Sequence, residues 1–308
     1  MRSTRFVVAF ACGVVSLSSA VAKSQSLPGT IVAFPPRPAS VPADYVAAPD
    51  GLYHHKDCLI HMKSGELLEA DGYTVDHLDG TKTTEPKCTH PTYDHDGHII
   101  TDNDAIGPYT DGWIAAAKEN LSSVTWLSAG WTVPANPSSY DSQILYFFPA
   151  MAPSDASEVV QPVLGWNFWG TDGNGWRVAA VWCPKSPGSC AYDGDYTVSV
   201  GDSLSGYMYP RSNPAGWVIG MNVNGGLTAY FSKATTTTYN VVTGGALESY
   251  LLSSCSDYPN GSSGSTTFSS IAVYQNGVKI TPSWTNQLFV SQCSSGVSST
   301  STSATITY

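Results

Sequence analysis

Beyond residue 99 the chain never sustains a helical repeat. Apolar and polar residues alternate in short runs, each closed by Gly, Pro, Asn or Asp. Segments such as "SVTWLSAGWTV", "SQILYFFP", "EVVQPVLGW", "WRVAAVWC", "GWVIGMNV" and "FSSIAVY" read as strands, because a period of two sends alternate side chains to opposite faces. About a dozen such pieces without a long helix predict an all-β domain, a two-sheet antiparallel β-sandwich over residues 106–308. Long mixed runs such as "DYTVSVGDSLSGYMY" suit the bent strands of a jelly roll.

Residues 1–22 have a basic start, an apolar run and the small-residue sequence "AVA", the pattern of a secretory signal peptide. With Cys12 in that leader, six cysteines remain, and an even number in a secreted chain predicts disulfides. Proximity favours Cys58–Cys88, Cys183–Cys190 and Cys255–Cys293, although six cysteines allow about fifteen pairings. Asn120-Leu-Ser and Asn260-Gly-Ser are glycosylation sequons. A net charge of −10 excludes the basic surface that nucleic acid requires. No later run has the apolar length of a membrane helix. The expectation is a secreted, extracellular monomer without nucleic-acid or membrane partners.

The histidines divide the chain. All seven lie between His54 and His98, inside an Asp-, Lys- and Pro-containing region, residues 23–105, that predicts a small subdomain or pro-region. The sandwich therefore cannot build a Ser-His-Asp triad, a Cys-His pair or a His-ligated zinc site from its own residues. His54, His55 and His61 lack zinc-protease spacing, and "GTDGNGW" joins two strands and opens no helix, so no metal or organic cofactor is expected. Acid–base chemistry falls to carboxylates, and beyond residue 99 the glutamates are Glu119, Glu158 and Glu248. Glu119 sits in a polar link. Glu248 stands inside the apolar strand "GGALESYLL", where an ionised group needs partners. Gln161 poses the same problem inside "EVVQPVLGW", and Glu158, three residues earlier, must face the other way. A structural hydrogen bond is the plainer explanation of each taken alone.

Together the two strands resemble those of the eqolisins, fungal glutamic peptidases with a concanavalin A-like β-sandwich and a Gln–Glu pair. "VVQPVLGW" resembles the family's Gln strand and "GGALESYLL" its Glu strand, 87 residues apart (248 − 161). "SAGWTVP", "AAVWCP" and "VSVGDSLSGYM" resemble further strands in the family's order. The resemblance covers residues 106–308 and implies that residues 23–105 are a propeptide. It departs where the family has acidic residues and this chain has Gly165 and Val181, and where a family tryptophan is replaced at Tyr146 or Phe147.

What the resemblance implies is a secreted acid endopeptidase, a zymogen acting on polypeptide. Glu248 is the expected general base and then acid on water, and Gln161 the oxyanion stabiliser and water orienter. Tyr146, Trp166 and Trp182 are expected to line the substrate cleft. The histidine-rich region is expected to cover that cleft near neutral pH and loosen as it gains charge in acid. The alternative is a non-catalytic carbohydrate-binding, lectin-like protein, or a structural or effector sandwich, since fold does not fix function.

Overall fold

The computed structural model describes residues 36–101, 112–171, 173–185 and 188–308. The leader and the junction at 105/106 lie outside these residues. The described chain is nearly all β: two large sheets of eight and eleven strands, and a small one of four.

The eight-stranded sheet carries Gln161 and Glu248. Its order runs Thr285–Leu288, Trp113–Asn120, Val241–Tyr250, Ile144–Ala152, Glu158–Trp166, Trp176–Pro184, Cys190–Val198, then Leu59–His61. Its central strands are buried throughout, at every residue of Ile144–Ala152 and of Val241–Tyr250. That is why "ILYFFPAMA" reads as a continuous apolar run rather than an alternation. A strand covered on both faces has no position left for polar residues. One face packs on the eleven-stranded sheet through Val160, Leu164, Trp166, Val178, Leu247, Ile219 and Phe231. The other holds Val159, Val163, Tyr146, Phe148, Ala246 and Tyr250, and they pack against residues 41–53.

The early region is therefore built into the sandwich and is not a free-standing hairpin module. Leu59–His61 adds a parallel strand beside Cys190–Val198, and Leu67–Leu68 one beside Gly226–Ala234. Thr74–Asp76 and Lys82–Thr84 continue the second sheet outward. Buried Asp193 accepts from the Ser64 hydroxyl and, at 2.7 Å, from the Tyr230 N–H. The Lys233 ammonium donates to the Glu69 carbonyl at 2.8 Å. The three disulfides are Cys58–Cys88, Cys183–Cys190 and Cys255–Cys293, as proximity favoured.

The small sheet, Tyr45–Ala47, Tyr53–His55, Thr92–Tyr93 and Ile99–Ile100, lies in this early region. Its first two strands form a hairpin with the tip Ala48-Pro-Asp-Gly-Leu52. Proline presets the turn, and Asp50 accepts from the Leu52 N–H at 3.2 Å. Gly51 takes φ +91°, a left-handed backbone for which glycine is suited. Arg37 braces the base, donating to the Tyr45 carbonyl at 2.7 Å with its guanidinium 5.3 Å over the Tyr53 ring.

Candidate active site

Gln161 and Glu248 project from the same face of the eight-stranded sheet, and both are fully buried. Their strands are not adjoining. The Ile144–Ala152 strand runs between them, with Tyr146 level with Glu248 and Gly165. Continuing that register places Gln161 level with Ala150, so the two side chains approach diagonally across the Tyr146 strand.

They converge on the hairpin tip. The Gln161 amide nitrogen donates to the Pro49 carbonyl at 2.6 Å, and the Gly51 N–H donates to Glu248 Oε1 at 3.0 Å. On either side the Tyr146 hydroxyl donates to the Ala47 carbonyl at 2.8 Å and the Tyr250 hydroxyl to the Ala48 carbonyl at 3.0 Å. Four side chains thus hold one short stretch of peptide, all by its main-chain atoms. Both residues that seemed costly inside apolar strands find peptide partners here.

The electrostatics follow from burial. Loss of water pushes the Glu248 carboxyl well above the usual carboxylate range; hydrogen bonding from Tyr250 pulls it partly back. The Asp50 charge adds to the rise, and the Gly51 N–H and Trp113 oppose it. Burial likewise raises the Tyr250 hydroxyl, with the neighbouring Glu248 adding to the effect. Asp50 itself meets His54 Nε2 at 2.8 Å, both side chains almost wholly enclosed.

Of the aromatic residues expected to line a cleft, Tyr146 stands on this face, and its hydroxyl also accepts from the Trp169 N–H at 3.0 Å. Trp166 and Trp182 do not. They point to the opposite side of the sheet, one or any odd number of residues out of phase with Gln161 and Val181 on their strands. Trp166 packs 5.3 Å from Trp176 in the core between the sheets. Trp182 donates to Glu158 at 2.9 Å and lies under the Lys233 ammonium. Trp166→Ala should therefore act on stability alone, costing about 3–5 kcal/mol. Thermal denaturation and kcat/KM of the folded fraction check this together. Tyr250 escaped the sequence reading, although its position two residues after Glu248 puts both on one face. Trp113, level with Glu248 on the neighbouring strand, gave no signal in the sequence.

Gly165 explains one departure from the eqolisin pattern. A Cβ there would lie 2.4 Å from the Phe168 ring and 3.0 Å from that of Tyr146, so no carboxylate-bearing side chain fits. Among the described residues two clusters bring metal-ligating atoms within 4.8 Å of one another. In Asp50, His54, Cys183 and Cys190 the sulfurs form a disulfide. In His55, Asp57 and His90 both His55 nitrogens are engaged, Nε2 by Asp44 at 2.9 Å and Nδ1 by the Asp57 N–H at 3.2 Å.

No family model and no curated protein matches the sequence. Two structural neighbours are glutamic peptidases. The chain is similar to scytalidoglutamic peptidase, solved with a peptide-based transition-state analogue, at 16% identity and a TM-score of 0.48. The likeness covers 64% of this chain and 98% of that one. It is also similar to SCP-B, an eqolisin solved with the tripeptide Ala-Ile-His, at 14% identity and a TM-score of 0.43, again over 64% and 98%. A third neighbour, congerin II with lactose and MES, shares 14% identity at a TM-score of 0.27, over 46% of this chain and 96% of its own.

Proposed function

We propose that this chain is the precursor of a secreted glutamic endopeptidase, with Glu248 and Gln161 as its catalytic pair and residues 41–55 as its plug. One observation carries the reading: two side chains otherwise out of place in apolar strands hold a peptide, one by a carbonyl and one by an N–H two residues on.

With the tip gone, a substrate carbonyl on the Gln161 amide has its developing oxyanion stabilised by a neutral donor. Glu248 takes the proton of the attacking water and returns it to the departing amine, so protons balance over the cycle. Tyr146 and Tyr250 hold flanking carbonyls. The tip itself resists this chemistry, because the Glu248 oxygen that must accept from water accepts instead from the Gly51 N–H. The tip is also a tight turn and not an extended strand.

The plug responds to pH through two opposed groups. Glu248 holds its proton more tightly under the tip than in solvent. It therefore favours closure in acid and loses that effect as pH rises through its raised value. Asp44, at the hairpin base, is held below its usual range by its hydrogen bond with His55. Its contribution to closure is present above the ordinary carboxylate range and lost as pH falls through the lowered value. Within the hairpin His54 meets Asp50 at 2.8 Å and His55 meets Asp44 at 2.9 Å. The effect of buried Glu248 outweighs that of exposed Asp44, so the hairpin should dock most firmly in acid and loosen as pH rises through the raised Glu248 value. Tryptophan fluorescence of the precursor across pH checks this. In Asp44→Asn, which removes the opposing group, the loosening on raising the pH should grow.

The general test is digestion of denatured casein between about pH 2 and 7, with the early segment removed. Cleavage on the acid side that pepstatin fails to block supports the assignment. No cleavage at any pH would end it.

A further inference from the structure

Tyr250 lies two residues beyond Glu248 on the strand Val241–Tyr250, so both side chains leave the sheet on one face, and both are buried. A Cβ on Gly112 would lie 3.1 Å from the Tyr250 hydroxyl and 3.3 Å from Glu248 Cγ, so the two groups close over one bare glycine. A tyrosine hydroxyl has a single proton, and here two acceptors are in reach, the Ala48 carbonyl and the Glu248 carboxyl. With the hairpin docked the proton goes to Ala48, at 3.0 Å. Among the described residues Glu248 Oε2 then has no donor in full hydrogen-bond geometry, although Tyr250 is near enough to lower the carboxyl.

Most of the other groups that face this pair belong to the early region. Asp50 and Tyr53 act on Glu248 from the hairpin, with His54 on Asp50 and Arg37 over the Tyr53 ring. His95 lies 5.4 Å from the Tyr250 ring. On the sandwich side Trp113, level with Glu248, adds a second donor to the carboxyl. Once the early region has gone, Tyr250 and Trp113 govern Glu248, and the Tyr250 proton has lost its carbonyl.

We propose that Tyr250 is a positioning residue for the catalytic pair: its hydroxyl proton turns to the Glu248 carboxylate while the cleft is empty, and to a main-chain carbonyl when a peptide fills it. This proton switch rests on the peptidase reading and names how that site registers its substrate. Ala48 precedes Pro49, whose carbonyl sits on Gln161. In a substrate, the residue before the scissile one therefore supplies the carbonyl for Tyr250. The change is a rotation of the hydroxyl about its C–O bond, and no proton leaves the oxygen. Binding withdraws a hydrogen bond from Glu248, and a carboxylate with fewer donors holds a proton more tightly. The base thus strengthens as the substrate arrives. A peptide with no residue at that place leaves the proton on Glu248 and the base weak.

The acid limb of kcat/KM reports the free enzyme and that of kcat the substrate complex. In processed wild type the limb of kcat should lie about one pH unit above that of kcat/KM, the effect of one donor on a carboxylate. In Tyr250→Phe the limb of kcat/KM should rise by about that unit, so that the two coincide. Wild type acting on a substrate whose preceding carbonyl is reduced to a methylene should show the same coincidence. A tyrosine that merely supports the fold would leave the separation of the limbs unchanged. A second measurement needs no cleavage: infrared titration of the carboxyl stretch, with the matching Glu248→Gln spectrum subtracted, in the intact chain and after removal of residues up to 101. Tyr250→Phe should raise the Glu248 titration by about one unit after removal, and by less than about half of that before it. Equal shifts in the two forms, no shift in either, or an unchanged separation of the limbs overturns the proposal. If processed wild type cleaves nothing, the peptidase reading falls, and the titration alone decides the role of Tyr250.

Discussion

Processed protein carrying Glu248→Gln will release no fragments from denatured casein at any pH, whereas Gln161→Ala will keep about 10⁻²–10⁻³ of the turnover. The asymmetry follows from the chemistry. An amide at 248 has the size of the carboxyl but cannot take a proton from water, so the attacking group is lost outright. Removing the Gln161 amide removes one donor to the oxyanion and leaves the base in place. Glu248→Gln should fold normally. The carboxyl is already driven towards its neutral form by burial, and a neutral amide spares the cost of enclosing a charge. A circular dichroism spectrum and melting point like those of the parent would confirm this. Fragment release by folded Glu248→Gln would remove the residue from the mechanism.

The intact chain will be close to silent, and Gly51→Ala will make it leak. A plug docked in about 99 of 100 molecules leaves about 1% of the activity of the processed form. At φ +91° an alanine strains the tip by about 1–3 kcal/mol, which multiplies the open-to-docked ratio roughly 5- to 150-fold. The same substitution leaves Gln161, Glu248 and both tyrosines untouched, so processed enzyme made from it must match the parent. Initial rates on an internally quenched peptide, before and after removal of residues up to 101, measure both. If the intact chain already works at the processed rate, the tip does not obstruct the site.

The sandwich was legible because alternation and turn residues punctuate the sequence from "SVTWLSAGWTV" onward. The most buried strands were visible for another reason: "ILYFFPAMA" is apolar at nearly every position, the mark of cover on both faces. Gln161 and Glu248 stood out by contrast with such surroundings. The facing of Trp166 and Trp182 was missed, although the same period of two that separates Glu158 from Gln161 assigns them to the inter-sheet core. The tip was not legible as a plug. "APDGL" announces a turn, but what a turn rests on is decided by contacts across roughly a hundred to two hundred residues, which local pattern does not encode. How the plug responds to pH was not legible for a similar cause. Histidine content is in the sequence, but the carboxylates they face, Asp44 and Asp50, are a matter of packing.

The two parallel strands Leu59–His61 and Leu67–Leu68 have a second consequence. Each borders one strand of the sandwich, Cys190–Val198 in one layer and Gly226–Ala234 in the other. Cutting the early region away bares two ladders of unsatisfied main-chain groups, the kind of margin onto which a foreign chain can add itself. The event that frees the catalytic pair therefore also makes the product adhesive. How concentrated the ripe protein can become before its copies stack edge to edge is set by the same scission.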